Sequence, residues 1–408
     1  MLLQVLLALA AVILTGQILA RVLTRFGQPP VIGEVLAGIL LGPSLIGPEL
    51  SSRILPPAIA PALGIIAQLG VILYMFVVGL ELETGKLRSR GRSIVIISWA
   101  SILLPFALGL AIAPILFERV GPPGVPRLGF ALFMGVAMSV TAFPVLARIL
   151  KDRGMDRSPV GVIALSAAAI DDVTAWCLLA IVVGITQAQI GGGLRVIGMA
   201  AGYVAVMFLV VRPLAQRWTK ARAKSEAGGS DEYGALPQAR IAVMFLALLL
   251  SAIATEAIGI HAIFGAFLFG ALIPEESPIA RALSAQLRGV VTVLLLPAFF
   301  AFTGMRTRID LVAGVEAWLL CGLIILVAVA GKFLGTLAGG RLTGLGWRDA
   351  SILGVLMNTR GLMELIVLNI GLELGVISPA LFAMMVIMAL TTTIMTGPLL
   401  ALAERRPI

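Results

Sequence analysis

The sequence is poor in the residues that dissolve and crosslink proteins. Of its 408 residues only 12% are charged and 6% aromatic, and there are two cysteines and one histidine. So little charge cannot cover a water-soluble globule when 60% of the residues are hydrophobic and mean hydropathy is +1.07. A bilayer must therefore be the solvent. Cys177 and Cys321 each lie inside an apolar run and form no disulfide framework or metal knuckle. A free thiol in such a place behaves as a small hydrophobe. With His261 as the one histidine, no Ser/His/Asp set has a workable placement, and a Walker loop and a GxGxxG following a strand are also missing. An enzyme is not expected, and no cofactor is implied. Acidic residues are outnumbered 21 to 30, for a net charge of +9. In a soluble chain that excess would point to nucleic acid. In a membrane chain Lys and Arg collect in cytoplasmic loops, so no nucleic-acid partner is expected. The segment from Met1 to Leu14 has neither the basic n-region nor the small-residue cleavage site of a secretory signal. It reads as a first span that is retained.

What the chain does have is apolar sequence almost end to end, interrupted by clusters of Gly, Pro and Arg. A spanning helix needs about 20 apolar residues. Cutting at the clusters gives about thirteen spans: 2–24, 31–47, 58–80, 93–117, 127–150, 159–187, 194–216, 239–258, 260–274, 286–305, 311–339, 348–374 and 379–403. The second and ninth are short enough to be halves of tight hairpins. Basic residues in the loops alternate cleanly between the two sides, 22 against 6. The sparse side holds Arg53, Arg119, Arg127, Arg195, Arg306 and Arg308. The rich side holds clusters such as Lys86, Arg88, Arg90 and Arg92, then Arg148, Lys151, Arg153 and Arg157, then Arg217, Lys220, Arg222 and Lys224. The rich side is the cytoplasmic one. A multi-pass protein of the cytoplasmic membrane is expected, with its N-terminus outside and residues 404–408 as a cytoplasmic tail.

Residues 221–236, containing KSEAGGSDEYG, form a polar linker behind the seventh span. With 194–238 as connector helix and linker, six spans precede it and six follow, and the second six start from the opposite side. That is the arrangement of inverted six-helix repeats, frequent in transporters. The expected fold class is an all-α polytopic membrane protein in which residues 1–403 form a single transmembrane domain.

A charge at bilayer depth costs at least about 2.5–3.5 kcal/mol, so each one needs a reason. Asp171 and Asp172 sit in SAAAIDDVTAWCLLA, mid-way along the sixth span. Neighbouring side chains on a helix point about 100° apart. One carboxylate can then face a cation-filled cavity while the other faces an adjacent helix. Mutual repulsion and desolvation both penalise the doubly ionised pair, which sets protons in competition with cations. Lys332, in LVAVAGKFLGTLAGG, would need about two helical turns to snorkel out. An ion pair with one of the aspartates accounts for it better, and a snorkelling anchor is the alternative. In AMSVTAFPVLAR, Pro144 removes a backbone donor and disfavours helix at Phe143, so the fifth span should break near Thr141. The twelfth span carries a polar interruption at Asn358, Thr359, Arg360 and Gly361. Interrupted spans at matching places in two halves point to a substrate site. There Thr141 would add a hard hydroxyl ligand for an alkali cation, and Arg360 would offset the negative ends of half-helices. Glu364, one turn past Arg360, is placed to pair with it, a direct cation role being the alternative. Glu81 reads as a solvated cap at the cytoplasmic end of a span. His261, beside Glu256, reads as structural, with pH sensing as the alternative. Gly38 and Gly42 form a GxxxG suited to close helix contact.

The acid pair, Lys332 and the two broken spans together resemble the monovalent cation/proton antiporter superfamily of bacterial sodium/proton and potassium/proton exchangers. The strings VIGEVLAGILLGPSLIG, TAFPVLARIL and NTRGLMELIVLNIG are similar to the branch containing plant cation/proton exchangers. This resemblance covers nearly the whole chain. It implies two crossed broken helices, a homodimer and elevator-type alternating access serving pH homeostasis. It further implies a dimerisation part (spans 1–3 and 8–10, about 2–80 and 239–305) and a core transport part (spans 4–6 and 11–13, about 93–187 and 311–403). Carried over by position, Asp172 is the principal cation and proton carrier, Asp171 the second acid and Lys332 its partner. Thr141 then lies at the first crossover, and Asn358 and Arg360 at the second. In the superfamily an Asp-Asp pair with lysine goes with electrogenic exchange. The plant branch more often has Asn before the second acid, and Asp171 departs from that. Two other classes stay open: sodium-coupled uptake of an organic anion, with Arg360 facing the substrate, and a conductive cation channel.

Overall fold

A computed structural model describes residues 1–81, 91–191, 193–217, 238–274 and 277–405. Lys86, Arg88, Arg90, Lys220, Arg222, Lys224, Arg406 and the 221–236 linker lie outside the described residues. Among the described residues every regular element is a helix. In chain order they are α1 (Leu2–Arg25), α2 (Pro30–Leu41), α3 (Pro48–Ile54), α4 (Ala60–Leu80), α5 (Gly91–Val120), α6 (Arg127–Ser139), α7 (Phe143–Asp152), α8 (Pro159–Gly191) and α9 (Gly193–Val206). Then follow α10 (Gln238–Ile258), α11 (Ala262–Leu272), α12 (Pro278–Val290), α13 (Leu296–Arg306), α14 (Gly314–Leu342), α15 (Trp347–Met357), α16 (Leu362–Glu373) and α17 (Pro379–Arg405). A π turn at Val291–Leu295 joins α12 to α13, and another at Met207–Val211 extends α9.

Ten helical stretches among the described residues are long and apolar enough to cross a bilayer, or eleven when α15 and α16, bent by 46° at their junction, count as one. The two short spans expected from the sequence are α2 and α11, of 12 and 11 residues. At 1.5 Å per residue each reaches little more than half of a hydrocarbon core of about 30 Å.

The chain packs as two units. One comprises Met1–Leu63, Gly85–Val182 and Phe300–Ile408, and holds both broken helices. Its close contacts are made by glycine. Along α14, Gly331, Gly335 and Gly339 form a small-residue stripe against α5, where an added Cβ at Gly331 or Gly339 would sit 2.8 Å or 2.9 Å from atoms of Pro105 and Ala100. The Gly38/Gly42 pair does what its spacing suggests, resting α2 on the backbone of Phe300 and Gly304 in α13. Inside α17, Pro398 has no N–H to give the Ile394 carbonyl one turn back. The Gln28 side-chain amide donates to that carbonyl at 3.1 Å, and the Arg153 guanidinium donates to the Gly397 carbonyl at 3.0 Å. A freed carbonyl at depth is thus satisfied by a side chain.

The other unit comprises Gly64–Thr84 and Val183–Phe299. Its core gathers Phe76, Leu80, Met244, Leu248, Phe269 and Leu283, with Phe76 and Phe269 stacked at 5.8 Å. Glu81 is not the solvated cap that its place at a helix end suggested. Its carboxylate pairs with Arg288 and accepts from the Ser284 hydroxyl, because α12 brings a basic and a hydroxyl side chain to that level. His261 precedes α11 with φ 76°, and the Glu256 carboxylate accepts the Ala262 N–H at 2.7 Å. Glu256 thereby takes one of the helix-start donors that lack a backbone partner.

Candidate functional site

The site is built where two helices fail. α6 stops at Ser139 and α7 starts at Phe143, with Pro144 in its first turn and Val140 extended (φ −65°, ψ 136°). The break falls on Val140, Thr141 and Ala142, beside the proline that dictates it. α15 stops at Met357, Asn358 follows, and α16 starts at Leu362 after Gly361. The two breaks touch: the Ala142 N–H donates to the Thr359 carbonyl at 2.9 Å, and the Thr141 hydroxyl lies 3.3 Å from the Met357 carbonyl. Each interruption therefore supplies part of the other's missing backbone partners, which is what allows irregular backbone at this depth.

Arg360 ties the crossing together. Its guanidinium donates to the Ala137 carbonyl at 2.9 Å and the Met138 carbonyl at 2.5 Å, two of the acceptors in the last turn of α6. It also pairs with Glu364 at 2.9 Å, and both side chains are fully buried. A fixed cation at a helix C-terminus offsets the negative end of its dipole. The Arg360 backbone is clamped as well, its N–H donating to the Thr393 hydroxyl at 3.1 Å and its carbonyl accepting from that hydroxyl at 2.6 Å.

At the crossing the two aspartates of α8 are treated very differently. Asp171 is saturated. It accepts from Ser98 at 2.5 Å and from Ser101 at 2.6 Å, both on α5, and from Thr141 at 3.1 Å. Lys332 of α14 reaches the same carboxylate at 3.0 Å and donates to the Thr141 hydroxyl at 2.6 Å. The pair is fully buried, so its charges are compensated by each other and by three hydroxyls. Asp172 is also buried, at 2% exposure, yet neither of its carboxylate oxygens has a hydrogen-bond partner. The backbone N–H of Phe143 at the start of α7 lies near it, outside hydrogen-bond geometry. The Asn358 side-chain oxygen is likewise buried without a partner, while the Thr359 hydroxyl bonds back to Leu356 at 2.7 Å.

The structure thus brings Asp171, Lys332 and Thr141 into one network, and Arg360 and Glu364 into a second, with Pro144, Asn358 and Thr359 on the breaks between them. Reading the sequence missed Ser98, Ser101 and Thr393. The first two had a signal, since serines three apart in SIVIISWASILL share one face of an apolar helix. The donor set of the crossing is carboxylate, hydroxyl and carbonyl oxygen. Among the described residues no group of three or more His, Cys, Asp or Glu comes together. Hard oxygen donors with little excess negative charge suit a monovalent cation better than a transition metal.

The chain matches the family described as "Sodium/hydrogen exchanger, transmembrane" over residues 8–403. It is 41% identical over 404 residues to the Na(+)/H(+) antiporter NhaS4 of Synechocystis sp., covering 98% of this chain and 96% of that protein. It is 39% identical over 404 residues to cation/H(+) antiporter 20 of Arabidopsis thaliana, covering 95% of this chain and 47% of the relative. Against K(+)/H(+) antiporter 1 of Saccharomyces cerevisiae it is 32% identical over 381 residues, covering 91% and 43%. The chain therefore spans nearly all of the cyanobacterial relative and about half the length of the plant and yeast ones. Its fold is similar to that of the sodium proton antiporter MjNhaP1 from Methanocaldococcus jannaschii, with TM-score 0.64 at 15% identity, covering 98% of this chain and 99% of that one. With that fold and a match running nearly end to end, the chain belongs to the transmembrane sodium/hydrogen exchanger family.

Proposed function

We propose that the protein is a secondary antiporter exchanging Na⁺ or K⁺ for H⁺. One observation carries the reading: Asp172 holds two buried oxygens with no partner, at the meeting point of two broken helices, beside an Asp171 that Lys332 and three hydroxyls already satisfy. An unpaired carboxylate in a dry site must bind something, and a proton or an alkali cation each meet the need. Both cannot occupy it together, so their binding is competitive and transport of one is coupled to counter-transport of the other.

The charge balance favours electrogenic exchange. A cation entering beside Asp172 displaces the Asp172 proton. If it also takes Asp171 as a ligand, Lys332 loses its counter-charge and gives up a proton. Two protons then leave for one cation, and net charge moves. The crossed half-helices, with Arg360 fixing the negative end of α6, form a cradle suited to moving as one body, in keeping with elevator-type alternating access by a core part (about 93–187 and 311–403) against a dimerisation part (about 2–80 and 239–305) in a homodimer. In the cytoplasmic membrane, N-terminus outside, such a cycle would serve pH homeostasis.

The organic-anion reading would need Arg360 to face substrate, and its guanidinium is committed to two carbonyls and Glu364. The channel reading predicts currents far above transporter turnover in bilayer recordings. The test is dye dequenching in proteoliposomes carrying a pH gradient, with Na⁺, K⁺ and Li⁺ added in turn and with or without an imposed voltage. Exchange with at least one alkali cation, accelerated by voltage of one sign, is expected. No response to any alkali cation rejects the antiport.

A further inference from the structure

Thr336 lies one turn beyond Lys332 on α14 and is fully buried. Its hydroxyl has no hydrogen-bond partner. Buried threonines elsewhere in the fold satisfy theirs by bonding back one turn: Thr392 to Met388 at 2.9 Å and Thr396 to Thr392 at 2.9 Å. Thr336 does not use the equivalent carbonyl, that of Lys332. A hydroxyl left unmade in a dry interior costs about 1–3 kcal/mol, so its orientation needs a ligand to account for it.

The neighbours of Thr336 locate that ligand. At 100° per residue, Gly331, Gly335 and Gly339 face α5, where an added Cβ would meet Pro105 and Ala100. Phe333 and Gly340 face α15, meeting Gly354 and Ala350. Lys332 and Thr336 are about 40° apart and point between these two faces, toward the space the crossing occupies. The level is also set, because Gly335 packs on Ala100, which stands between the Ser98 and Ser101 that hold Asp171. Thr336 therefore presents an unused oxygen on the Lys332 face of the helix, near the level of the serines that hold Asp171.

We infer that Thr336 is a specificity-determining residue of the exchanger, its hydroxyl oxygen serving as a neutral ligand to the alkali cation or to the one water the cation retains. This rests on the antiport reading and adds to it a ligand from a third element. A neutral oxygen suits the role, since it strengthens coordination without changing the number of charges that compete with protons.

The test uses the full chain in proteoliposomes and compares Thr336→Val, which keeps the branched shape and removes the oxygen, with Thr336→Ser, which keeps the oxygen. Val should raise the half-saturating concentration of the preferred cation about three- to tenfold, as loss of one neutral contact implies, with the maximal rate kept and the ranking of Na⁺, K⁺ and Li⁺ altered. Ser should stay within about twofold of wild type. Should Val fail to insert, Thr336→Ala serves the same comparison. Unchanged half-saturation in Val or Ala, or a Ser variant as impaired as Val, overturns the assignment while leaving a wild type that still exchanges. A wild type that exchanges nothing removes the antiport reading and this assignment together.

Discussion

Lys332 lies 3.0 Å from Asp171, and Asp172, the next residue in the chain, has no partner on either carboxylate oxygen. Two adjacent acids thus carry opposite burdens: one is part of the scaffold and the other is available.

That division predicts opposite thermal behaviour for two isosteric variants. Asp171→Asn leaves the Lys332 charge buried without a counter-ion, and breaking a buried pair costs about 3–5 kcal/mol. Asp172→Asn removes a buried charge that no hydrogen bond in the protein satisfies, so the melting temperature should hold or rise. Melting curves of the purified variants in detergent check this. Equal losses for both would mean that the two acids share Lys332.

Arg360 makes three contacts with one planar group, to Ala137, Met138 and Glu364. Arg360→Lys keeps the charge but cannot span the three acceptors. A stability loss of at least about 2 kcal/mol is expected from unmade bonds to a charged donor, with loss of exchange because α6 and α16 are no longer held. A lysine variant that melts and exchanges like wild type would show the fork to be dispensable.

The glycine contacts sort into those with room and those without. An added Cβ at Gly304 would run into the Gly38 backbone, whereas Gly322 has nothing within 4 Å. Gly304→Ala should cost about 1–3 kcal/mol by overpacking. Gly322→Ala, in the interior of α14, should be neutral or stabilise by up to about 1 kcal/mol. Thermal melting of both in the same detergent is the measurement, and a tolerated Gly304→Ala would contradict the close approach of α2 and α13.

Gln28 and Pro398 should be coupled. Gln28 donates to the Ile394 carbonyl that Pro398 leaves free. Gln28→Ala should cost about 1 kcal/mol in the wild type and little in a Pro398→Ala background, where the new N–H takes the same carbonyl. Additive effects in the double-mutant cycle would separate the two residues.

Much of the site was legible in the sequence because it breaks local rules. Charges and a proline inside apolar runs have to be explained by partners, and Asp171, Asp172, Lys332, Pro144 and Arg360 stand out on that ground alone. The choice of acid for Lys332 was not legible from geometry, since two carboxylates about 100° apart are equally reachable until the neighbouring helices are placed. The hydroxyls were harder still. Ser98 and Ser101 show only as a shared polar face, Thr336 and Thr393 look like ordinary polar residues of membrane helices, and the packing around them is what gives each hydroxyl its partner or leaves it without one. Glu81 was misread because its partners Ser284 and Arg288 lie some two hundred positions further along the chain. The helix breaks themselves followed from Pro144 and from the NTRG interruption, but their mutual contact through Ala142 and Thr359 is a tertiary fact.

The most direct test of Asp172 as the shared binding site is cation-induced dequenching in proteoliposomes, wild type against Asp172→Asn, at saturating Na⁺ and at saturating K⁺. The prediction is a clear response in the wild type and none with either cation in a variant that melts at or above the wild-type temperature. Robust exchange by a folded Asp172→Asn protein would contradict the account.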